Sequence, residues 1–117
     1  MSRAALLLLV VLATGCGGAA SFLVSGGDAG NGKSDITAYG CGGCHQIPDV
    51  DQADGRIGPS LGGFAHRRYI AGRLANTPDN LIRWIVDPQA VSPGTLMPDL
   101  GVSDQAARDI AAYLYAH

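Results

Sequence analysis

The chain contains no glutamate and a single lysine, Lys33. Its acids are ten aspartates against eight Lys and Arg, and charged residues make up only 15% of the sequence. No basic stripe exists to follow a phosphate backbone, which excludes nucleic acid as a partner, and a docking face built on lysine is excluded with it. Cysteine is scarce too, with Cys16, Cys41 and Cys44 alone. A zinc ribbon requires a second pair of ligands at short spacing, and there is none. A thioredoxin-like redox pair would sit in a βαβ pattern, and no segment carries a strand period. Methionine is limited to Met1 and Met97, and histidine to His45, His66 and His117, so soft and imidazole donors can be enumerated completely. Past an apolar N-terminal run about 90 residues remain, enough for one domain with a limited core. From Asp28 onward seven basic residues face ten Asp, a mildly acidic and solvated balance.

What is present is Cys41-Gly42-Gly43-Cys44-His45. Two cysteines separated by two residues can each add across a vinyl group of haem, and the histidine that follows supplies an axial nitrogen to the iron. This C-x-x-C-H string is the c-type haem attachment signal, specific because its three parts act on one cofactor. A sixth ligand must come from the short inventory above. Met1 opens the apolar run. Met97 lies in Pro93-Gly94-Thr95-Leu96-Met97-Pro98, a loop stiffened at both ends by proline. A lone loop methionine also serves as apolar gap filler. As a ligand opposite His45 it would raise the reduction potential. His66, beside Arg67 and Arg68, reads as a solvated histidine, and His117, the last residue, as frayed.

Residues 1–27 read as an export or anchoring segment, with a spacer, ahead of a domain at 28–117. Leu12-Ala13-Thr14-Gly15-Cys16 resembles a lipoprotein signal, which would lipidate the one cysteine left over from haem. Alternatively Ala4 to Val24 is a retained helix near the roughly 20 residues that span a bilayer, or the segment is cleaved and the domain released. Ser25 to Gly32 is polar and glycine-rich, a flexible spacer.

Asp28 is a candidate N-cap for a short helix from about Ala29 to Tyr39, with Ile36 and Tyr39 inward. Gln46 to Arg56 is a polar loop with three aspartates, solvated or a docking feature beside the haem edge. Thr77-Pro78-Asp79 marks a helix start, Leu81, Ile82, Trp84, Ile85 and Val86 its apolar face, and Pro88 its stop. A buried Trp84 indole would need a hydrogen-bond acceptor, either a haem propionate or none if it serves as packing alone. A last helix opens at Ser103-Asp104, with Ala107, Ile110, Ala111 and Leu114 on one face. The fold class is all-α, three to five short helices around one covalently bound haem.

Cys41 to His45, then Ile57-Gly58-Pro59-Ser60-Leu61, then Leu96-Met97-Pro98 and a closing helix with Tyr113, resemble a small monohaem cytochrome c of the His/Met kind, over about residues 28–117. Asn76-Thr77-Pro78-Asp79-Asn80-Leu81 through Trp84 and Asp87-Pro88-Gln89 is similar to the cytochrome c domain fused to subunit II of some bacterial haem–copper oxidases. Nothing here resembles the copper-binding part of that subunit. The resemblance implies the cytochrome c fold, a crossing of the first and last helices at Gly32, and Tyr113 packed on the first helix. It implies that the Pro59 carbonyl accepts from the His45 ring. Leu61 and Phe64 would lie on the macrocycle, or be ordinary core. Arg67, by its offset from Gly58-Pro59, or Arg68, by comparison with the oxidase-fused domains, would meet a propionate, the alternative being a plain surface cation.

A haem ligated on both faces has no open coordination position, so the implied activity is one-electron transfer without a small-molecule substrate. The protein would be a carrier in a bacterial respiratory chain, between an upstream reductase and a downstream terminal oxidase, and not an enzyme. A haem subunit of a larger dehydrogenase or oxidase complex, or a ligand-binding or peroxidatic haem protein, are the alternatives. The resemblance implies a domain at the extracytoplasmic, periplasmic face of the bacterial cell envelope, and a lipidated Cys16 or a retained helix would tether it to the membrane.

Overall fold

The computed structural model describes residues 24–117; the expectations for Cys16 and the apolar run lie outside them. Among the described residues no helix is long and apolar enough to cross a membrane.

Helix α1 spans Ala29–Ala38 and starts where the Asp28 carboxylate accepts the Asn31 N–H at 2.7 Å. It ends at Tyr39, and Gly40, with φ of 72°, turns the chain into a short 3-10 turn at Cys41–Gly43. Three more helices follow: α2 Pro78–Val86, α3 Pro88–Val91 and α4 Asp104–Ala116. The Thr77 hydroxyl caps α2, accepting the Asn80 N–H at 3.3 Å, with Pro78 at the first helical position. Pro88 ends α2 as expected and also opens α3, because the Asp87 side chain accepts the Ala90 N–H at 2.9 Å and caps a new turn. Ser103 caps α4 in the same way.

Helices α1 and α4 cross at Gly32, where a Cβ would run into the Asp109 carbonyl and lie 3.0 Å from the Ile110 nitrogen. Only glycine lets the backbones meet there. Ala107 and Ala111 are wholly buried, and Ile36, Leu81, Ile82, Ile85, Ile110 and Leu114 complete a single core with Phe64 and Ile70. The all-α class and the cytochrome c architecture hold.

Four local expectations change. Tyr69–Ile70 (β1) pairs antiparallel with Leu74–Ala75 (β2), Tyr69 opposite Ala75 and Ile70 opposite Leu74. Left-handed Ala71 and Gly72 make the reversal. Strands of two residues are too short for alternation to register in a sequence.

The loop 46–56 exposes its three aspartates, with Gln46, Gln52 and Arg56, but is not simply solvated. Its backbone is folded: Ile47 is buried and donates to the Ala53 carbonyl at 3.2 Å, and Gln46 bridges to Asp54. The Tyr113 hydroxyl donates to the Pro48 carbonyl at 2.5 Å, so this aromatic anchors the loop after the Cys-rich motif.

Residues 25–27, expected to belong to a flexible spacer, dock on α4 together with Val24. Val24 is buried, Gln105 donates to the Gly26 carbonyl at 2.7 Å, and Arg108 reaches the Ser25 carbonyl. Buried Asp109 accepts the Asp28 N–H at 2.8 Å and the Gln105 amide at 3.0 Å, which ties the entry of α1 to α4.

His117 is not frayed. Its ring stacks on Tyr113 at 4.0 Å, and its carbonyl accepts the Gly63 N–H at 3.1 Å.

Candidate functional site

A cavity of about 480 Å³ opens between the Cys41–Gly43 turn, the 57–67 segment, α2 and the loop after α3. That is within the roughly 300–1,000 Å³ of cofactor sites. Cys41, Cys44, His45 and Met97 all line it, with Leu61, Phe64, Trp84, Ile85, Ile110 and Leu114 among its apolar walls.

Local backbone bonds set the motif. Gly43 and Cys44 donate to the Gly40 and Cys41 carbonyls, and Gly58 donates to the Cys44 carbonyl at 2.8 Å, which brings Gly58-Pro59 against His45. The His45 Nδ1 lies 2.7 Å from the Pro59 carbonyl oxygen. A carbonyl can only accept, so Nδ1 carries the proton and Nε2 keeps a bare lone pair for a metal. A Cβ at Gly58 would collide with the imidazole, 2.6 Å from Nδ1. The ring is therefore both hydrogen-bonded and hemmed in.

Cys41 and Cys44 are half-buried free thiols. Burial pushes the Cys41 thiol above its ordinary pKa; a backbone hydrogen bond works against the rise and Cys44 adds to it.

Of the two arginines, Arg67 lines the cavity; its guanidinium donates to the Ser60 carbonyl and sits 5.4 Å from the centre of the Phe64 ring. Arg68 is exposed and does not reach it. Trp84 is half-buried on the wall, and its indole N–H has no acceptor among the described residues. His66 is exposed, as expected.

Two residues that the sequence reading quoted only for the resemblance, without a role of their own, support this geometry. The Asn76 amide donates to the Phe64 and Arg67 carbonyls, each at 2.9 Å, and the Tyr115 hydroxyl holds that amide at 2.6 Å. Gln89 bonds the loop that carries Met97. The sequence does not show either role, because both side chains bond backbone atoms, whose partners no residue type specifies.

The donor set discriminates between ligands. Among the described residues no three His, Cys, Asp or Glu converge where an ion could bind. One imidazole and one thioether suit a metal that brings its own equatorial ligands. Two thiols, an apolar wall and Arg67, the one formally charged side chain among the described lining residues, suit a flat apolar macrocycle with acidic substituents. The residues fit haem.

An all-α body around such a cavity defines a haem protein of the electron-transfer class. The chain belongs to the cytochrome c family, whose model matches residues 29–116. It is similar to cytochrome c oxidase subunit 2 of Alkalihalophilus pseudofirmus, 36% identical over 89 residues, covering 74% of this chain and 25% of that protein. Cytochrome c oxidase subunit 2 of Bacillus sp. strain PS3 is 41% identical over 59 residues, covering 49% of this chain and 17% of that protein. The chain thus matches a quarter or less of the length of these relatives. No solved structure matches it.

Proposed function

We propose that the chain carries one haem c, bound covalently through Cys41 and Cys44 with His45 and Met97 as axial ligands, and that it passes single electrons toward a terminal oxidase in a bacterial respiratory chain. The observation that carries this reading is that His45, oriented by Pro59, lines the same cavity as Met97. The bound haem supplies the Fe(III)/Fe(II) couple. The protein's part is to present Nε2 and the thioether, to exclude water with Leu61, Phe64 and Trp84, and to balance propionate charge with Arg67 in preference to Arg68. With both axial positions taken by protein, no small-molecule substrate is turned over and the chain is not an enzyme.

The test is expression in a haem-attaching host. The pigment should resist extraction by acidic acetone, and the oxidised protein should show the weak far-red band of an iron–thioether bond. In Met97→Ala the band should vanish and the potential fall; an unchanged spectrum would refute the axial assignment.

The relatives named as oxidase subunits support an oxidase as electron acceptor. They also support a setting at the extracytoplasmic face of the cell envelope, with the folded unit at 28–117 tethered through the residues before Val24. Mass spectrometry of the mature N-terminus separates a lipidated Cys16 from a retained Ala4–Val24 helix and from a released protein.

A second reading, a resident haem subunit of a larger complex, is favoured by the cavity rim. Ile57, Tyr69, Leu96 and Leu100 all line the mouth and remain 69%, 64%, 84% and 43% exposed. A rim of this kind suits a dry, close contact. Salt-insensitive co-purification with a partner supports residence; electron exchange that slows with salt supports a free carrier.

A further inference from the structure

We propose that Gln89 is the positioning residue for the Met97 thioether, a role that rests on the axial reading of Met97 above. Its carboxamide makes three bonds to one loop. The two N–H groups donate to the Thr95 carbonyl at 2.9 Å and the Met97 carbonyl at 3.0 Å, and the oxygen accepts the Gly94 N–H at 3.1 Å. One rigid planar group thus spans both ends of the Gly94–Met97 segment. The rest of the loop is held lightly: Thr95 donates to the Ser92 carbonyl at 3.0 Å, and the Met97 N–H reaches the Thr95 hydroxyl at 3.4 Å.

The base of the clamp does not move. Gln89 follows Pro88, which is among the most deeply buried side chains, and Asp87 caps the turn that carries both. The amide has one workable orientation, because a flip would set its oxygen against two carbonyls and its nitrogen against an N–H. Glutamate, nearly the same shape, fails for the same reason: a carboxylate has no proton for the Thr95 and Met97 oxygens.

A thioether is a weak ligand on a loop, so its hold on iron depends on how costly the loop's other conformations are. Gln89 raises that cost. Prolines at 93 and 98 limit φ at the loop's ends, whereas Gly94, at φ of 81°, has no side chain to pack and open space where a Cβ would stand. The glycine needs the clamp.

The experiment compares holoprotein of the wild type, Gln89→Ala, Gln89→Glu and Met97→Ala by spectroscopic titration of the ferric form with imidazole, which competes for the sixth position. The far-red band and the thermal midpoint are read alongside. Gln89→Ala should bind imidazole on the order of tenfold more tightly, or about 1.4 kcal/mol, and lose band intensity. Gln89→Glu should do so at least as strongly although it preserves side-chain volume. Imidazole affinity equal to the wild type's in both Gln89 variants overturns the proposal, whether or not the thermal midpoint falls. A far-red band that survives in Met97→Ala overturns the axial reading instead, which separates the two failures.

Discussion

Gly32→Ala adds one methyl group at the crossing of α1 and α4. Two opposed terms set its effect. Alanine is the better helix former by about 1 kcal/mol, so an unobstructed site would gain stability. Here the methyl meets the Asp109 carbonyl and the Ile110 nitrogen, backbone atoms of α4 that cannot rotate away. Restoring ordinary contact requires the helices to part by about 1 Å, and overpacking of this kind costs roughly 1–3 kcal/mol. An immovable obstacle puts the cost near the upper end, because wholly buried Ala107 and Ala111 lose their neighbours as α4 withdraws. The net expectation is a loss of about 2 kcal/mol, or about 10 °C in the thermal midpoint of a domain this size. Gly30→Ala is the internal control. It is the same change in the same helix, but its Cβ meets only the capping Asp28 carboxylate oxygen, at 3.2 Å, which needs to shift by only a few tenths of an ångström and can keep its bond to Asn31. Its midpoint should stay level or rise slightly. Thermal unfolding of the holoprotein by far-UV circular dichroism reads both, and a Gly32→Ala protein as stable as the wild type would refute the crossing argument.

Burial pushes the Tyr115 hydroxyl up to about 12, above its value near 10 in an unfolded chain. The folded state holds that proton more firmly, so the contribution is whole below about pH 10 and is lost as pH rises through about 12. Tyr115→Phe should flatten this alkaline limb of the stability curve and forfeit about 1 kcal/mol from the bond to Asn76. An unaltered alkaline slope would count against it. Asp109→Ala leaves the Asp28 N–H without its acceptor and takes from the Gln105 amide one of its two. It should cost about 1–3 kcal/mol in urea unfolding and speed proteolysis at residues 24–28; unchanged cleavage there would show that Asp109 does not tie down this turn.

The chemistry of this protein was legible wherever residue type and spacing alone decide it. Cys41, Cys44 and His45 are neighbours in the chain, so their joint action on one cofactor needs no fold to be inferred. Scarcity narrowed the proposed sixth ligand in the same way, since only Met1, His66 and His117 stood beside Met97. Caps and stops at Asp28, Thr77, Pro88 and Ser103 were readable because they act within one turn of themselves.

Tertiary structure decided everything that joins distant segments. It turned Arg67 into the cavity and Arg68 out of it, a choice two adjacent identical residues cannot disclose. It docked residues 24–27 on α4, pinned His117 against Tyr113, and set Asn76 and Gln89 to hold loops in other parts of the chain. These are hydrogen bonds from polar side chains to backbone atoms, and a backbone carbonyl has no letter in a sequence. Only the fold specifies which carbonyl comes within reach.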